Sequence, residues 1–256
     1  MEKDFTEREF DTKYQEIKNI ITAGKYPEEH RKTVFVLGGQ PGSGKSSFYL
    51  NSNLKNYISI NGDDYRKFHP KLEYFEHTDV DEYVARTQYF VNRVSNRLIS
   101  ELSREGYNLI IEGTLRTAEI PIKTCNLLKD RQYESNLVVI ACSAEEAWKS
   151  TIERANLMRT KGETPRLVPI DKYNETVQSI ANNIQHIKEE NCFDSIKIID
   201  RDGKALYDTN DTVEPWQILS DKLKLGEWNQ NFEQHKQEYI RAKISLLQQE
   251  LDKYER

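Results

Sequence analysis

The stretch GQPGSGKS, residues 39–46, carries the strongest chemical signal in the sequence. It has the spacing GxxxxGK[ST], and its residues are Gly39, Gln40, Pro41, Gly42, Ser43, Gly44, Lys45 and Ser46. In such a loop the backbone N–H groups surround phosphate oxygens, the lysine reaches the terminal phosphates and the hydroxyl can ligate magnesium. The pattern predicts a site for a purine nucleoside triphosphate. A glycine-rich turn without a ligand is the alternative, and it leaves the lysine and serine unexplained.

The acceptor of a phosphoryl group must be sought elsewhere, because motors, switches and kinases share this loop. Asp63 and Asp64 follow the apolar run YISI, at the carboxyl end of a predicted strand, where open α/β sheets place ligands. A carboxylate there can accept the proton of an attacking hydroxyl or hold magnesium. The alternative is that one of them only caps the following helix. We favour a functional role, because the strand end and the phosphate-binding loop point to the same edge of the sheet.

A third strand end carries further polar side chains. Glu112 ends the run NLII, and Thr114 and Arg116 follow it. The carboxylate and hydroxyl can hydrogen-bond substrate hydroxyls, and the guanidinium can pair with a substrate phosphate. A capping and loop network accounts for the same spacing equally well.

Two further arginines are candidates for stabilising a transferred phosphoryl group. Arg154 lies in a predicted helix, and Arg166 lies in the polar stretch KGETPR, which we interpret as a mobile lid. Arginines so placed can neutralise the charge that develops during transfer. Surface arginines are common, so spacing alone does not assign this role.

Five short apolar runs predict the strands that position these residues: TVFVLG, YISI, NLIIEG, LVVIAC and SIKIID. Helical patterns separate them, as expected for parallel strands joined by right-handed crossovers. The sequence therefore predicts an α/β fold with a doubly wound, mostly parallel sheet and helices on both faces. The turn signal Asp202-Gly203 adds a hairpin at one sheet edge.

The N-terminal segment predicts an additional helix over residues 6–24. Thr6 and Glu9 have the spacing of a capping box, and Phe5 and Phe10 that of a hydrophobic staple. Burial of its apolar stripe against the main domain is the simplest expectation.

The C-terminal segment predicts a further amphipathic helix. Its apolar stripe consists of Ile240, Ile244, Leu247, Leu251 and Tyr254. We expect this stripe to pack on the N-terminal helix or on the domain, and a docking surface for a protein partner is the alternative. The predicted organisation is an N-terminal helical extension (1–30), a domain that carries the phosphate-binding loop (31–227) and a C-terminal helix (228–256).

Composition limits the partners and the location. The 256 residues include 37 Lys+Arg and 42 Asp+Glu, with a formal net charge of −5, so broad binding to nucleic acid or to acidic membranes is not expected. There is no transmembrane run and no signal-peptide core, which favours a cytoplasmic location. Cys125, Cys142 and Cys192 are odd in number and widely spaced, a pattern that argues against disulfides or a zinc site and predicts buried thiols.

Several motifs together resemble the zeta toxins of bacterial toxin–antitoxin systems. They are GGQPGSGKSS, INGDDYRKFHP, GYNLIIEGTLRT, IPIKT, TIER and TPR, in the family's order between about residues 30 and 210. The resemblance implies a P-loop kinase that uses ATP and Mg²⁺ to phosphorylate the 3′-hydroxyl of the amino sugar in UDP-N-acetylglucosamine, which blocks cell-wall synthesis. It also implies a small helical antitoxin that blocks the ATP site.

The resemblance assigns roles by motif. Lys45, Ser46 and Ser47 would bind ATP, with Ser46 on Mg²⁺, and Asp63 would be the base for the sugar hydroxyl. Arg154 and Arg166 would stabilise the transferred γ-phosphate. The UDP-sugar would contact Glu112, Thr114, Arg116 and Thr124.

Two departures from the family pattern bear on the acceptor. Asn96 stands where streptococcal members have a glutamate, and Leu115 replaces a small residue; both lie near the expected sugar pocket. A kinase acting on another nucleotide or metabolite therefore stays an alternative, as does a nucleotide-dependent switch or docking protein that exposes the C-terminal stripe.

Overall fold

The computed structural model describes residues 4–51, 54–75 and 80–254. Within these ranges no helix is both long enough and apolar enough to cross a membrane. All three cysteines are buried free thiols, as the sequence predicts.

The described residues form one six-stranded sheet with the strand order β2-β3-β1-β4-β5-β6. Its strands are β1 (Thr33–Gly38), β2 (Tyr57–Ile60), β3 (Asn108–Glu112), β4 (Glu134–Ile140), β5 (Ser195–Ile199) and β6 (Ala205–Asp208). The pairs among β1 to β5 are parallel, and β6 pairs antiparallel with β5 through the predicted hairpin. The α/β fold with a mostly parallel sheet is thus confirmed.

Helices connect the strands and extend both ends of the described chain. They are α1 (Glu7–Thr22), α2 (Lys45–Asn51), α3 (Leu72–Phe75), α4 (Val80–Glu105), α5 (Glu119–Lys129), α6 (Ala144–Thr160), α7 (Ile170–Glu189), α8 (Pro215–Leu223), α9 (Leu225–Gln230) and α10 (Phe232–Tyr254). A 3-10 helix, Gly62–Phe68, follows β2.

The two faces of the sheet are covered unequally. Alternate strand residues such as Val34 and Val36 enter a large core with side chains from α1, α4, α5 and α7. On the other face, Phe48 of α2 packs on a small cluster that includes Leu37 and Val138. A groove of about 720 Å³ opens along this second face. Helices do lie on both faces, but α2 is short and leaves part of the second one open.

Helix α1 begins as its sequence predicts. Thr6 accepts a hydrogen bond from the Glu9 backbone at 3.2 Å, and the Glu9 carboxylate accepts one from the Thr6 backbone at 2.7 Å. Phe5 and Phe10 stack with their ring centroids 5.9 Å apart. The buried stripe of α1 joins the main core.

Helix α10 packs through a different stripe from the predicted one. Ile240 and Ile244 are 45% and 47% exposed, whereas His235 and Leu246 are buried and Tyr239 packs on the interior. The prediction that the stripe containing Ile240 packs on the domain is therefore wrong for Ile240 and Ile244. The side chains of Leu251 and Tyr254 lie outside the described residues. A second, more mixed stripe makes the contact: His235 stacks on Trp228, and the Tyr239 hydroxyl donates to Asp81.

The division into segments 1–30, 31–227 and 228–256 stays a prediction. Side chains of α1 and of Trp228 in α9 enter the same core cluster as the sheet, so the three segments are packed together.

Candidate active site

The phosphate-binding loop joins β1 to α2, as predicted. Gly42 has φ of +77°, and a Cβ atom there would collide with the carbonyl oxygen of Ala147, so only glycine fits this turn. Lys45 Nζ folds back over the loop and donates to the carbonyl oxygens of Gly39 (2.7 Å) and Gln40 (3.2 Å). Ser46 lies exposed in the first turn of α2.

Burial of Nζ, together with the nearby charge of Arg154, lowers the pKa of Lys45 to about 8 against the opposing effects of Glu112 and Asp63. A lysine whose ammonium has lost its hydration gains strongly from an anionic ligand. The loop therefore has a cation in place for a terminal phosphate.

Asp63 lies in the first turn of the 3-10 helix, beyond the carboxyl end of β2. Asn61, not either aspartate, provides the N-cap, since its side-chain oxygen accepts a hydrogen bond from the Asp63 backbone at 3.2 Å. The carboxylate of Asp63 is thus available for other partners. Arg66 Nε donates to Asp63 Oδ1 at 2.9 Å, and Arg166 Nη1 lies 3.6 Å from Oδ2.

Arg66 is almost fully buried and holds this carboxylate against α4. Its Nη1 donates to Thr87 Oγ1 at 2.7 Å and to the carbonyl oxygen of Val84 at 3.0 Å, and its Nη2 donates to Gln88 Oε1 at 2.8 Å. With all its nitrogens engaged, the guanidinium is fixed, and it fixes the orientation of Asp63 in turn.

The two neighbouring aspartates differ in proton affinity. Burial alone would raise the pKa of Asp63, but the charges of Arg66, Arg166 and Arg154 outweigh it and lower the pKa below its ordinary value. The pKa of Asp64 is raised, by loss of hydration and by the charge of Asp63, which the charge of Arg166 only partly offsets. The neighbouring guanidinium groups therefore hold Asp63 in its ionised form, the form that can accept a proton.

Arg154 and Arg166 lie near the Asp63 carboxylate, and some of their guanidinium nitrogens donate no hydrogen bond. Nε of Arg154, and Nε and Nη1 of Arg166, are buried without a hydrogen-bond partner. Burial and the proximity of Arg166 lower the pKa of Arg154, and Asp63 and Glu112 act in the opposite sense. Buried guanidinium donors without acceptors are costly unless an anion satisfies them. The site therefore suits a phosphoryl group placed between the loop and Asp63.

Glu112, at the end of β3, belongs to the same cluster, because its charge acts on both Lys45 and Arg154. Thr114 lies in the loop that follows, and its hydroxyl accepts from the Arg116 backbone at 3.4 Å. Arg116 itself points to α7, with its Nε 3.9 Å from the Glu175 carboxylate, and lies outside the central cluster.

The side chain of Leu115, one of the two departures from the family pattern, is buried. It is 4% exposed and belongs to the main core, where it packs so closely on Gly38 that a Cβ atom there would collide with it. Its φ of +54° is unusual for leucine. Asn183 Nδ2 donates to the carbonyl oxygens of Leu115 (2.9 Å) and Arg116 (2.8 Å), which holds this turn in place.

The remaining predicted acceptor residues lie on helices. Asn96 is exposed on α4, and Thr124 is half-buried on α5. Among the described residues, neither makes a hydrogen bond or ion pair with the cluster around Asp63.

Two arginines near the loop were missed by the sequence reasoning. Arg66 follows Asp63 by three residues, a helical spacing that predicts an ion pair. Arg201 follows β5; its Nη2 donates to the Gly42 carbonyl oxygen at 2.5 Å, and its Nη1 lies 3.0 Å from Glu146 Oε1. Arg201 thus links the phosphate-binding loop to α6. Its place at a carboxyl strand end was the signal that could have identified it.

The residues present also suit a magnesium ion that is coordinated mainly by the phosphates of a bound nucleotide. In the described part of the chain, no group of three or more His, Cys, Asp or Glu side chains could hold a metal ion. Mg²⁺ in nucleotide sites takes few protein ligands and relies on phosphates and water. The Ser46 hydroxyl, exposed in the first turn of α2, is an oxygen ligand of the kind that such an ion takes.

Comparison with known proteins agrees with this geometry. The zeta toxin family model matches residues 17–212. Toxin zeta of Streptococcus pyogenes is 31% identical over 225 residues, which cover 86% of this chain and 78% of that protein. Toxin PezT of Streptococcus pneumoniae is 31% identical over 234 residues, which cover 89% of this chain and 91% of that protein.

Solved structures extend the likeness. One from a study of the PezAT chromosomal toxin–antitoxin system of Streptococcus pneumoniae has a TM-score of 0.76 at 29% identity, covering 96% of this chain and 98% of that one. An AvrRxo1-ORF1:-ORF2 complex with ATP has a TM-score of 0.56 at 13% identity, covering 94% and 82%, and shows a shared fold alone. The PezAT match reaches past residue 212, where the family model ends, into the C-terminal region that the sequence comparison of motifs left out. With most of its residues matched by the family model and the phosphate-binding loop, Asp63 and both arginines assembled at one sheet edge, the chain belongs to the zeta toxin family.

Proposed function

We propose that this protein is a kinase that transfers the γ-phosphoryl group of ATP to the 3′-hydroxyl of the amino sugar of UDP-N-acetylglucosamine, and thereby inhibits cell-wall synthesis. Membership of the zeta toxin family supports a toxin kinase. The observation that carries the proposal is the grouping of Lys45, Arg154 and Arg166 around the ionised Asp63, with guanidinium nitrogens that lack partners. Such a site has both a base for a hydroxyl and cations for a phosphate.

The proposed reaction is a direct in-line transfer. The bond between the γ-phosphorus and its bridging oxygen breaks, the sugar oxygen forms a new bond to phosphorus, and ADP leaves. Asp63 accepts the proton of the sugar hydroxyl. Lys45, Arg154 and Arg166 neutralise the charge on the transferred group, so the protein contributes mainly positioning and electrostatics.

ATP would be bound through the loop, namely by Gly39, Gln40, Pro41, Gly42, Ser43, Gly44, Lys45, Ser46 and Ser47. Ser46 would hold Mg²⁺, which would supply further positive charge for the phosphates. The two arginines contribute further positive charge from α6 and from the segment before α7.

The acceptor would be contacted by Glu112, Thr114, Arg116, Thr124 and Asn96. Glu112 lies near Lys45 and Arg154, so it is the member of this group best placed to meet the reacting sugar. Asn96 and Leu115, the two departures from the family pattern, keep a kinase for another nucleotide or metabolite as the alternative.

We also infer a small helical antitoxin as a partner that covers the nucleotide site. The similar solved structure comes from a study of a toxin–antitoxin system. The three cations of the site would attract an acidic segment of such a partner.

Mass spectrometry of UDP-sugars tests the proposal. The purified protein is incubated with magnesium-ATP and a panel of UDP-sugars and other nucleotides, with Lys45→Ala as the matched control. We expect UDP-N-acetylglucosamine to gain one phosphoryl group with the wild type only. Phosphorylation of a different compound would identify that compound as the acceptor instead. ATP binding without any modified compound would support the alternative of a nucleotide-dependent switch.

The pH dependence of turnover tests the role of Arg66. Arg66→Gln removes the nearest of the positive charges that hold the pKa of Asp63 low, so this pKa rises and the base is protonated at higher pH. We therefore expect the acid limb of the kcat/KM profile to move to higher pH. Arg86→Gln, which changes an exposed arginine paired with Glu82 on α4, should leave the limb in place. An unchanged limb in a folded Arg66→Gln protein would contradict the assignment of Asp63 as base.

A further inference from the structure

A small apolar cluster, separate from the main core, joins four distant parts of the chain. It contains Val80 of α4, Ala155 of α6, Leu167 of the segment before α7, and Leu246 of α10, all buried. Tyr239 and Ala242 of α10 pack against it. Helix α10 thus closes over the place where these elements meet.

Two members of this cluster are sequence neighbours of the proposed phosphate-binding arginines. Ala155 follows Arg154, and Leu167 follows Arg166. Within the described chain, the backbone of residues 164–168 makes no hydrogen bond to other backbone. Leu167, at 1% exposure, is therefore a main anchor of the segment that carries Arg166, and Leu246 is part of its packing surface.

Polar contacts also connect α10 to α4, the helix that holds Arg66 beside Asp63. Lys243 Nζ lies 2.5 Å from Asp81 Oδ2 in the first turn of α4, and Tyr239 donates to the same carboxylate. The next two turns of α4 supply Val84, Thr87 and Gln88, which hold Arg66. A second contact with α6 comes from Arg159 Nη1, which donates to the Ser245 carbonyl oxygen at 3.4 Å.

We propose that α10 is a positioning element for catalysis: through Leu246, Tyr239 and Lys243 it holds the segment that carries Arg166, and the start of α4, in the geometry that transfer requires. The inference rests on the proposed kinase function and gives the C-terminal helix a role in it. Displacement of a guanidinium by about 1 Å can lower the rate of transfer by about 100-fold. The phosphate-binding loop joins β1 to α2, so we expect a smaller effect on ATP binding than on transfer.

Leu246→Ala is the decisive variant, and Ile244→Ala on the same helix is its matched control, because Ile244 is 47% exposed. We expect Leu246→Ala to lower kcat by about 10- to 100-fold with little change in the KM for ATP, and Ile244→Ala to behave as wild type. Leu246→Met, which conserves volume, should restore turnover. Equal kcat in wild type and folded Leu246→Ala would overturn the proposal.

A double-mutant cycle separates positioning from general loss of stability. In an Arg166→Ala background, Leu246→Ala should lower the single-turnover rate of phosphoryl transfer by less than about 3-fold, because the group that it positions is already absent. The same fold-loss in both backgrounds would mean that Leu246 acts independently of Arg166, and the proposal would fail.

Hydrogen exchange provides a readout that needs no activity. Leu246→Ala should speed the exchange of the hydrogen-bonded amides of Lys161, Gly162 and Glu163, where α6 leads into this segment, relative to wild type and to Ile244→Ala, while β1 and β4 exchange as before. If wild type phosphorylates no acceptor, the proposed function fails but this measurement still decides whether α10 holds the segment. Unchanged exchange would overturn the inference. Should Leu246→Ala fail to fold, Tyr239→Phe with Lys243→Met weakens the same attachment at Asp81 without leaving a cavity.

Discussion

Replacement of Arg166 by alanine is expected to slow phosphoryl transfer by roughly 10³-fold or more, the range found when an arginine that contacts a transferring phosphoryl group is removed. The reason is that Arg166 is 17% exposed, lies 3.6 Å from Asp63 and has buried nitrogens without hydrogen-bond partners. In the proposed reaction these donors would bind the transferred phosphoryl group, and their contribution would be largest in the transition state, where charge spreads over its oxygens. Single-turnover transfer from radiolabelled ATP measures the loss.

Two companion variants isolate the cause. Lys161→Ala removes an exposed cation from the same segment and should leave kcat near the wild-type value. Arg166→Lys keeps the charge but not the planar fork of donors, so only part of the activity should return. If Arg166→Ala raised the KM for ATP and left kcat intact, the arginine would serve ground-state binding, and its assigned role would be wrong.

Asp63→Asn is expected to lower kcat by about 10²- to 10⁴-fold, the usual contribution of a positioned general base. The amide can still accept the hydrogen bond from Arg66, so the local structure should persist, but it cannot take up the proton of the acceptor hydroxyl. Binding of ATP should survive, because the phosphate-binding loop is unchanged. Turnover and ATP affinity measured on the same preparation check both parts.

Asp64→Asn is the matched control for this variant. Asp64 is the adjacent carboxylate, more exposed and with a raised pKa, so its replacement should have a much smaller effect. A large loss in Asp64→Asn combined with near-normal turnover in Asp63→Asn would exchange the two assignments.

Much of the fold and the site was predictable because the relevant signals are local. Apolar runs specified the parallel strands, and the Thr6–Glu9 spacing specified the start of α1. The rule that ligands lie at the carboxyl ends of parallel strands correctly placed Lys45, Asp63 and Glu112 at one edge. Their charges do act on one another there.

The errors came from contacts between segments remote in the sequence. Burial of Leu115 against Gly38 of β1 was not predictable from its position in the loop after β3. In α10, the regular stripe through Ile240 and Ile244 looked like the buried face, but the groove between α6 and α4 accepts Tyr239 and Leu246 instead. Helical spacing shows which residues share a face; it does not show which face meets a complementary surface.

The sequence by itself determined the nucleotide-binding loop, the α/β class, the acidic strand ends and the family, since these depend on residue type and spacing over short stretches. Only the tertiary structure decided that Arg66 fixes Asp63, that Arg154 and Arg166 have buried donors without partners, and that α10 anchors the segment carrying Arg166. Each of these depends on which side chains share a buried space and which polar atoms are left unpaired there. Desolvation and long-range packing set those quantities, and neither is encoded in any single stretch of residues.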